Sequence, residues 1–186
     1  MEKLPWIDYT GQTTEELLAC KSSHRIDSLL CAFEMGIQAK RRNTAEEKLV
    51  LAVMALDREV NNGGYSQFFL NSSRKFAPII VESLRRVDCL ATAAITEKAI
   101  AARRSATRDE ILEACDREFY RLNEIAPALF AFVEAHQDRI QLVKASLPPP
   151  PKLPELATAV KLFTFLENVK YTMKPPRDLS LEEARH

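Results

Sequence analysis

The sequence lacks a surplus of charge of either sign. It contains 26 basic and 26 acidic residues among 186, so its formal net charge is zero. A protein without net charge has no global field that would draw it to nucleic acid or to an anionic membrane. Binding of that kind would therefore depend on a local patch of charge.

Long apolar runs are also missing. No hydrophobic stretch approaches the roughly 18 residues of a membrane-spanning helix. The first residues, MEKLPWIDYT, do not place a basic region before a hydrophobic core, as a signal peptide does. We therefore predict a cytoplasmic protein with no membrane partner. A hydrophobic content of 46% in a chain of this length is enough for one domain with its own core.

The cysteines do not form a metal-binding or disulfide pattern. No CxxC pair occurs among the four, Cys20, Cys31, Cys89 and Cys115. Each lies within an apolar helical pattern, where a free thiol behaves as a small hydrophobic side chain. We predict reduced core thiols, no metal site and no cofactor.

No catalytic motif is present either. Neither a phosphate-binding loop nor a nucleophile elbow occurs in the sequence. Cys115 and His136 could meet only through the fold, since no local spacing brings them together. Asp116 and Glu118 are two residues apart, so on a helix they point to different sides. We predict no catalytic residues.

Helical periodicity runs through nearly the whole chain, which predicts an all-α fold, a compact bundle of about eight helices. Capping-box patterns begin at Thr13, Thr44 and Thr107, and Ser23 and Asp88 are expected to cap two further helices. We divide the chain into N-terminal helices that pack on the core (1–43), a main helical domain (44–147) and a C-terminal part (148–186). In that last part, four consecutive prolines predict a stiff spacer before an amphipathic helix and a frayed tail.

One segment, NNGGYSQFFLN from Asn61 to Asn71, is unlike the rest. It contains two of only four glycines in the chain, placed after a helical pattern, and we expect positive φ at Gly63. Two interpretations are open. In the one that we favour, the amide side chains form hydrogen bonds to unpaired backbone groups at a helix end. In the other, they line a polar pocket for a ligand. The residues concerned are Asn62, Gly63, Gly64, Tyr65, Gln67, Phe68, Phe69 and Asn71.

Together with its surroundings, this segment resembles the DNA mimic protein family, an all-helical bacterial family. The similarity covers about residues 40–143. It includes the capped helix with Leu56 and Glu59 before the segment, the later helix with Leu84, and the acidic and aromatic positions Asp116, Glu118, Phe119 and Tyr120. The resemblance implies a protein that displays carboxylates spaced like DNA phosphates and occupies a helix-turn-helix regulator.

Charge is distributed unevenly in the span that carries this resemblance. Residues 109–138 contain eight acidic and two basic residues, whereas residues 74–108 contain eight basic and three acidic ones. We therefore predict a non-catalytic protein-interaction module that binds another protein through an acidic helical surface. That surface comprises Asp109, Glu110, Glu113, Asp116, Glu124, Glu134 and Asp138.

Two alternatives to this prediction remain. The NNGGYSQFFLN segment could form the pocket of a small-ligand-binding or catalytic domain. The basic stretch could complement the acidic helices within one molecule or across a homodimer. No aromatic side chain is interleaved among the arginines Arg85, Arg86, Arg103, Arg104 and Arg108, so we do not expect direct nucleic-acid binding.

Overall fold

The computed structural model describes residues 4–122, 124–142 and 144, which belong to residues 1–146, the first of two units into which the chain divides. Across these residues there are seven α-helices and one 3₁₀ helix, and no strand. The helices are α1 (Thr14–Ala19), α2 (Ile26–Gln38), α3 (Ala45–Leu70), the 3₁₀ helix (Ser72–Phe76), α4 (Ile80–Arg86), α5 (Leu90–Ala102), α6 (Arg108–Phe119) and α7 (Ile125–Ala135). The predicted all-α fold is confirmed. The predicted proline spacer, C-terminal helix and tail lie outside the described residues.

Helix α3 is the longest helix, and the core forms around it. Its apolar stripe of Val53, Leu56 and Val60 is completely buried, as the periodicity predicts. Helices α2, α4, α6 and α7 all pack against α3, while α5 packs against α4 and α6. None of the helices described is long and apolar enough to cross a bilayer.

Two of the three predicted capping boxes form. The hydroxyls of Thr13 and Thr44 accept the backbone N–H groups of Glu16 and Glu47, whose carboxylates accept the threonine N–H groups in return. At Thr107 the prediction is wrong. Its φ and ψ of −100° and 29° are not the extended values of an N-cap, and its N–H donates to the hydroxyl of Ser105.

The predicted caps at Ser23 and Asp88 are also wrong. The hydroxyl of Ser23 donates to the carbonyl of Cys20 within the preceding turn, and Arg25 occupies the N-cap position of α2. Asp88 adopts a φ of 63°, so α5 begins only after Cys89. In both places a tight turn uses the polar residue before the helix begins.

The segment after α7 returns to the starts of α1 and α3. The hydroxyl of Thr14 donates to the carbonyl of Ile140 at 2.6 Å and accepts the N–H of Leu142 at 2.9 Å. The hydroxyl of Thr44 donates to the carbonyl of Arg139 at 2.9 Å. Hydrogen bonds thus join the segment after α7 to the starts of both helices, and the two at Thr14 are buried.

Candidate functional site

Helix α3 bends at its two glycines. Gly63 has φ −162° and ψ 27°, and Gly64 has φ 74° and ψ −177°. The predicted positive φ therefore belongs to Gly64 and not to Gly63, which corrects the sequence-based expectation. The conformation of Gly64 lies in a region that only glycine adopts readily. The bend starts a second helical segment at Tyr65 within α3.

Asp116 on α6 caps that second segment. Its Oδ1 accepts the backbone N–H of Tyr65 at 2.8 Å. A Cβ atom placed on Gly64 would lie 2.2 Å from Oδ2 of the same carboxylate, so glycine also leaves room for the cap. Burial raises the pKa of Asp116, with a smaller contribution from Glu113, while the Tyr65 N–H opposes the rise. This predicted acidic residue is tied to the bend of α3.

Glu59 binds two amide side chains of the segment through hydrogen bonds. Its carboxylate accepts hydrogen bonds from Gln67 at 2.8 Å, Asn71 at 2.7 Å and Ser73 at 2.8 Å. Burial is the largest single influence on the pKa of Glu59 and raises it, but the three hydrogen bonds together outweigh burial and hold the pKa below its usual range. This arrangement joins the two arms of α3 to the 3₁₀ helix.

The remaining side chains of the segment face different neighbours. The Tyr65 hydroxyl lies 2.7 Å from that of Thr96 on α5, and burial raises the pKa of Tyr65. Phe68 is completely buried, Phe69 is half-buried and Asn62 is exposed. The tyrosine and amide side chains of the segment thus contact Thr96, Glu59 or Asp57 or face solvent, and they do not converge on one cavity.

A cleft lies at the C-terminal end of α6. It has a volume of about 240 Å³ and lies among the start of α2, the middle of α3, the start of α5 and the turn between α6 and α7. Three carboxylates line it, those of Asp27, Asp57 and Glu124, and the described lining includes no lysine, arginine or histidine. We call this feature the acidic cleft. The rings of Phe119 and Tyr120 form part of its wall.

The three carboxylates of the acidic cleft have different surroundings. Asp27 pairs with Arg25, which does not line the cleft and which lowers the pKa of Asp27. Glu124 accepts the N–H and the hydroxyl of Thr92 at 2.9 and 2.7 Å, so it caps α5. Among the described residues, Asp57 accepts a side-chain hydrogen bond only from the Asn61 amide, at 2.9 Å, and burial raises the pKa of Asp57. The aspartate with the least compensation therefore lies in the wall of the cleft.

The other predicted acidic residues are spread over two helices. Asp109, Glu110 and Glu113 lie on the exposed face of α6. Glu134 on α7 forms an ion pair with Lys21 at 2.7 Å, and Asp138 is exposed beyond the end of α7. The structure thus brings Glu124 to the acidic cleft and Asp116 to the bend, and it leaves Glu134 and Asp138 in another part of the bundle.

Sequence reasoning missed Asp27 and Asp57. Both lie outside the acidic stretch 109–138, and each is close to an arginine in the sequence, which makes the local charge near neutral. A signal did exist for Asp57: it follows the buried residue Leu56 directly, so a helix places it at the edge of the buried stripe.

Thiol and metal chemistry have little support in the described part of the chain. There, no group of three or more histidine, cysteine, aspartate or glutamate residues is arranged to hold a metal ion. Burial raises the pKa of Cys89 to about 12 and also raises that of Cys115. His136, the candidate partner of Cys115, stacks on Phe132 at the end of α7 with ring centroids 4.0 Å apart.

Comparison with known proteins gives one result. The family model described as DMP19-like protein matches residues 41–136, just over half of the chain. This range begins at the turn before α3 and ends at the last turn of α7, so it includes the bend and most of the acidic cleft. No curated protein and no solved structure gives a significant match.

Proposed function

Because the chain belongs to the DMP19-like protein family, we propose that it is a non-catalytic protein-interaction domain whose acidic cleft receives a basic segment of a partner protein. The resemblance to the DNA mimic protein family suggests the class of partner, a DNA-binding regulator of the helix-turn-helix type. Such a regulator presents arginine and lysine side chains placed for phosphates, and protein carboxylates can occupy the same positions. We place this role in the cytoplasm.

The observation that carries the proposal is the composition of the acidic cleft. Asp27, Asp57 and Glu124 come from separate helices and meet in one concave surface without a cation among the described lining. Asp57 is half-buried, and in the described part of the chain its carboxylate has only the Asn61 amide as a hydrogen-bond donor. A carboxylate in that position gains from a cationic partner that restores its lost solvation.

An arginine side chain suits the cleft better than a metal ion does. The carboxylates are not arranged to share one ion. A guanidinium is planar, can bond a carboxylate with two parallel N–H groups, and also stacks on aromatic rings such as those of Phe119 and Tyr120.

The exposed acidic residues of α6 extend the same surface in the proposal. Glu113, Asp116 and Tyr120 follow each other at helical spacing, so they share one face of α6 that leads into the cleft. Asp109 and Glu110 lie one turn earlier. We propose that these residues attract the partner by long-range charge, while the cleft provides the specific contact. In this proposal Glu134 and Asp138 contribute only to the overall electrostatic potential of the protein.

The test uses a fluorescein-labelled peptide that contains several arginines, with binding to the full chain measured by fluorescence anisotropy. We expect Asp57→Asn to weaken binding about fivefold, the effect of one partly screened ion pair. Asp138→Asn is the matched control, since it removes an exposed aspartate that does not line the cleft, and we expect less than a twofold change.

The affinity should also fall as salt is raised, because the contact is electrostatic. If Asp57→Asn and Asp138→Asn reduced the affinity equally, binding would depend only on the net charge of the protein. The proposed contact in the acidic cleft would then be wrong. A peptide with citrulline in place of arginine should bind weakly. If it binds as tightly as the arginine peptide, the proposal is wrong.

A further inference from the structure

A second groove lies at the end of the bent helix, away from the acidic cleft. Its apolar part consists of Phe69 and Leu70 at the end of α3 and Leu112 on α6, and its volume is about 150 Å³. Leu70 is 77% exposed, although it ends a helix whose other large apolar side chains are mostly buried. An exposed leucine beside a half-buried phenylalanine marks a surface that can bind an apolar group.

Arginines border this groove. Arg103 at the end of α5 and Arg108 at the start of α6 both line it, together with the hydroxyl-bearing Ser66, and the described lining includes no carboxylate. The guanidinium of Arg103 lies over the ring of Phe69, 5.0 Å from its centroid. We call this feature the arginine groove.

The positive charge continues into the neighbouring cavity. Arg103, Arg104 and Arg108 all line that cavity. Arg108 pairs with its own neighbour Asp109 at 3.0 Å, whereas Arg103 and Arg104 have no carboxylate partner among the described residues. The guanidinium groups of Arg103 at the groove and of Arg104 in the neighbouring cavity are therefore available to an incoming anion.

We propose that the arginine groove binds an acidic peptide segment of a partner protein, which places one apolar side chain against Phe69, Leu70 and Leu112. The carboxylates of the segment bond to the guanidinium groups of Arg103, Arg104 and Arg108. The volume of the groove suits a single apolar side chain. The domain thus carries a second docking site, opposite in charge to the acidic cleft and lined by different residues.

Two observations favour an acidic peptide over nucleic acid. The face of Phe69 that a base would stack on is covered by Arg103. Asp109 and Glu110 line the outer cavity, where they would repel a continuous phosphate backbone. A peptide can present a few carboxylates to the arginines and keep apolar atoms beside them.

The probe is a fluorescein-labelled peptide of alternating glutamate and leucine, with binding to the full chain measured by fluorescence anisotropy. We expect Arg108→Gln to weaken binding about fivefold, as one ion pair is lost. Leu70→Ser should weaken it about tenfold, through loss of apolar contact. Both residues are exposed, so neither change should unfold the protein.

Matched controls are available on other surfaces. Arg41→Gln removes an exposed arginine between α2 and α3, and Leu90→Ser removes a leucine that is 59% exposed at the start of α5. Neither should change the affinity by more than twofold. Asp57→Asn should not weaken binding of this peptide, which separates the arginine groove from the acidic cleft.

Three results would overturn the proposal. The first is an affinity loss in the controls equal to that in Arg108→Gln and Leu70→Ser. The second is equally tight binding of a peptide with glutamine in place of glutamate, which would make the groove purely apolar. The third is displacement of the labelled peptide by single-stranded DNA at equal concentration, which would assign the arginines to nucleic acid.

Discussion

The two adjacent glycines of α3 should respond very differently to the same substitution. At Gly64, alanine would have to adopt a φ of 74° and a ψ of −177°, which costs about 1–3 kcal/mol for any residue with a Cβ atom. The new Cβ would also lie 2.2 Å from Oδ2 of Asp116. The carboxylate must therefore move and weaken its bond to the Tyr65 N–H, which adds about 1.5–3 kcal/mol.

At Gly63 both costs are smaller. Its φ of −162° is extended backbone that any residue adopts, so no left-handed conformation is forced on alanine. The Cβ would meet Oε1 of Gln67 at 2.2 Å, but this atom is at the end of a flexible side chain. Moving it loses one of the three hydrogen bonds to Glu59, worth about 1 kcal/mol.

Replacing glycine by alanine also restricts the unfolded chain, which returns roughly 0.5–1 kcal/mol in each variant. We therefore expect Gly64→Ala to lower the free energy of unfolding by about 3 kcal/mol and Gly63→Ala by less than about 1 kcal/mol. A domain with a typical stability of about 5–15 kcal/mol remains folded in both cases. Urea denaturation followed by circular dichroism measures the difference.

A double-mutant cycle isolates the contact between Gly64 and Asp116. If Asp116 is first replaced by alanine, the clash is absent and Gly64→Ala should cost only its backbone strain. Strict additivity of the two substitutions would contradict the steric argument. A larger loss of stability in Gly63→Ala than in Gly64→Ala would refute the assignment of the positive φ altogether.

Three other predictions concern ionisable groups. Burial raises the pKa of Asp57, so the ionised carboxylate destabilises the folded protein once the pH has risen through that pKa. Asp57→Asn should therefore raise the melting temperature at neutral pH and leave it unchanged at acid pH. The pKa of Glu59 is lowered, so its stabilisation is present above the ordinary glutamate pKa and is lost as the pH falls through the lowered value. Glu59→Gln should lower stability by about 2 kcal/mol at neutral pH and by much less in acid, as urea titrations at the two pH values would show. Cys89 is completely buried, and burial raises its pKa to about 12. A thiol reagent should therefore label the partly exposed Cys20 and Cys31 first, and Cys89 only after denaturant is added. Rapid labelling of Cys89 in the folded chain would contradict its placement.

Much of the fold follows from local patterns. Periodicity and capping rules find the stripe of α3 and the boxes at Thr13 and Thr44, because these features depend on neighbours within a few residues. The failure at Thr107 has a local cause as well. The hydroxyl of Ser105 accepts the Thr107 N–H that the carboxylate of Glu110 would accept in a capping box, and no rule based on residue type ranks these two acceptors.

The candidate sites depend on contacts between distant parts of the chain, and sequence could not supply them. Asp57 and Glu124 meet in the acidic cleft only because α7 and α2 both pack on α3. Glu59 stood out in the sequence, but its partners Gln67, Asn71 and Ser73 are brought to it by the bend. Which of the two glycines carries the positive φ likewise depends on where α6 places Asp116.

The hydrogen bonds that hold the segment after α7 have a practical consequence for the smallest piece of this protein that can be studied in isolation. The family match ends at residue 136, before Ile140 and Leu142, and it begins after α2, whose Phe33 and Ile37 are completely buried. An excised fragment limited to the matched range would leave one side of α3 and α7 in water. Expression of the shared family region alone is therefore expected to give aggregated material, and boundaries set from atomic contacts will serve better than those set from similarity.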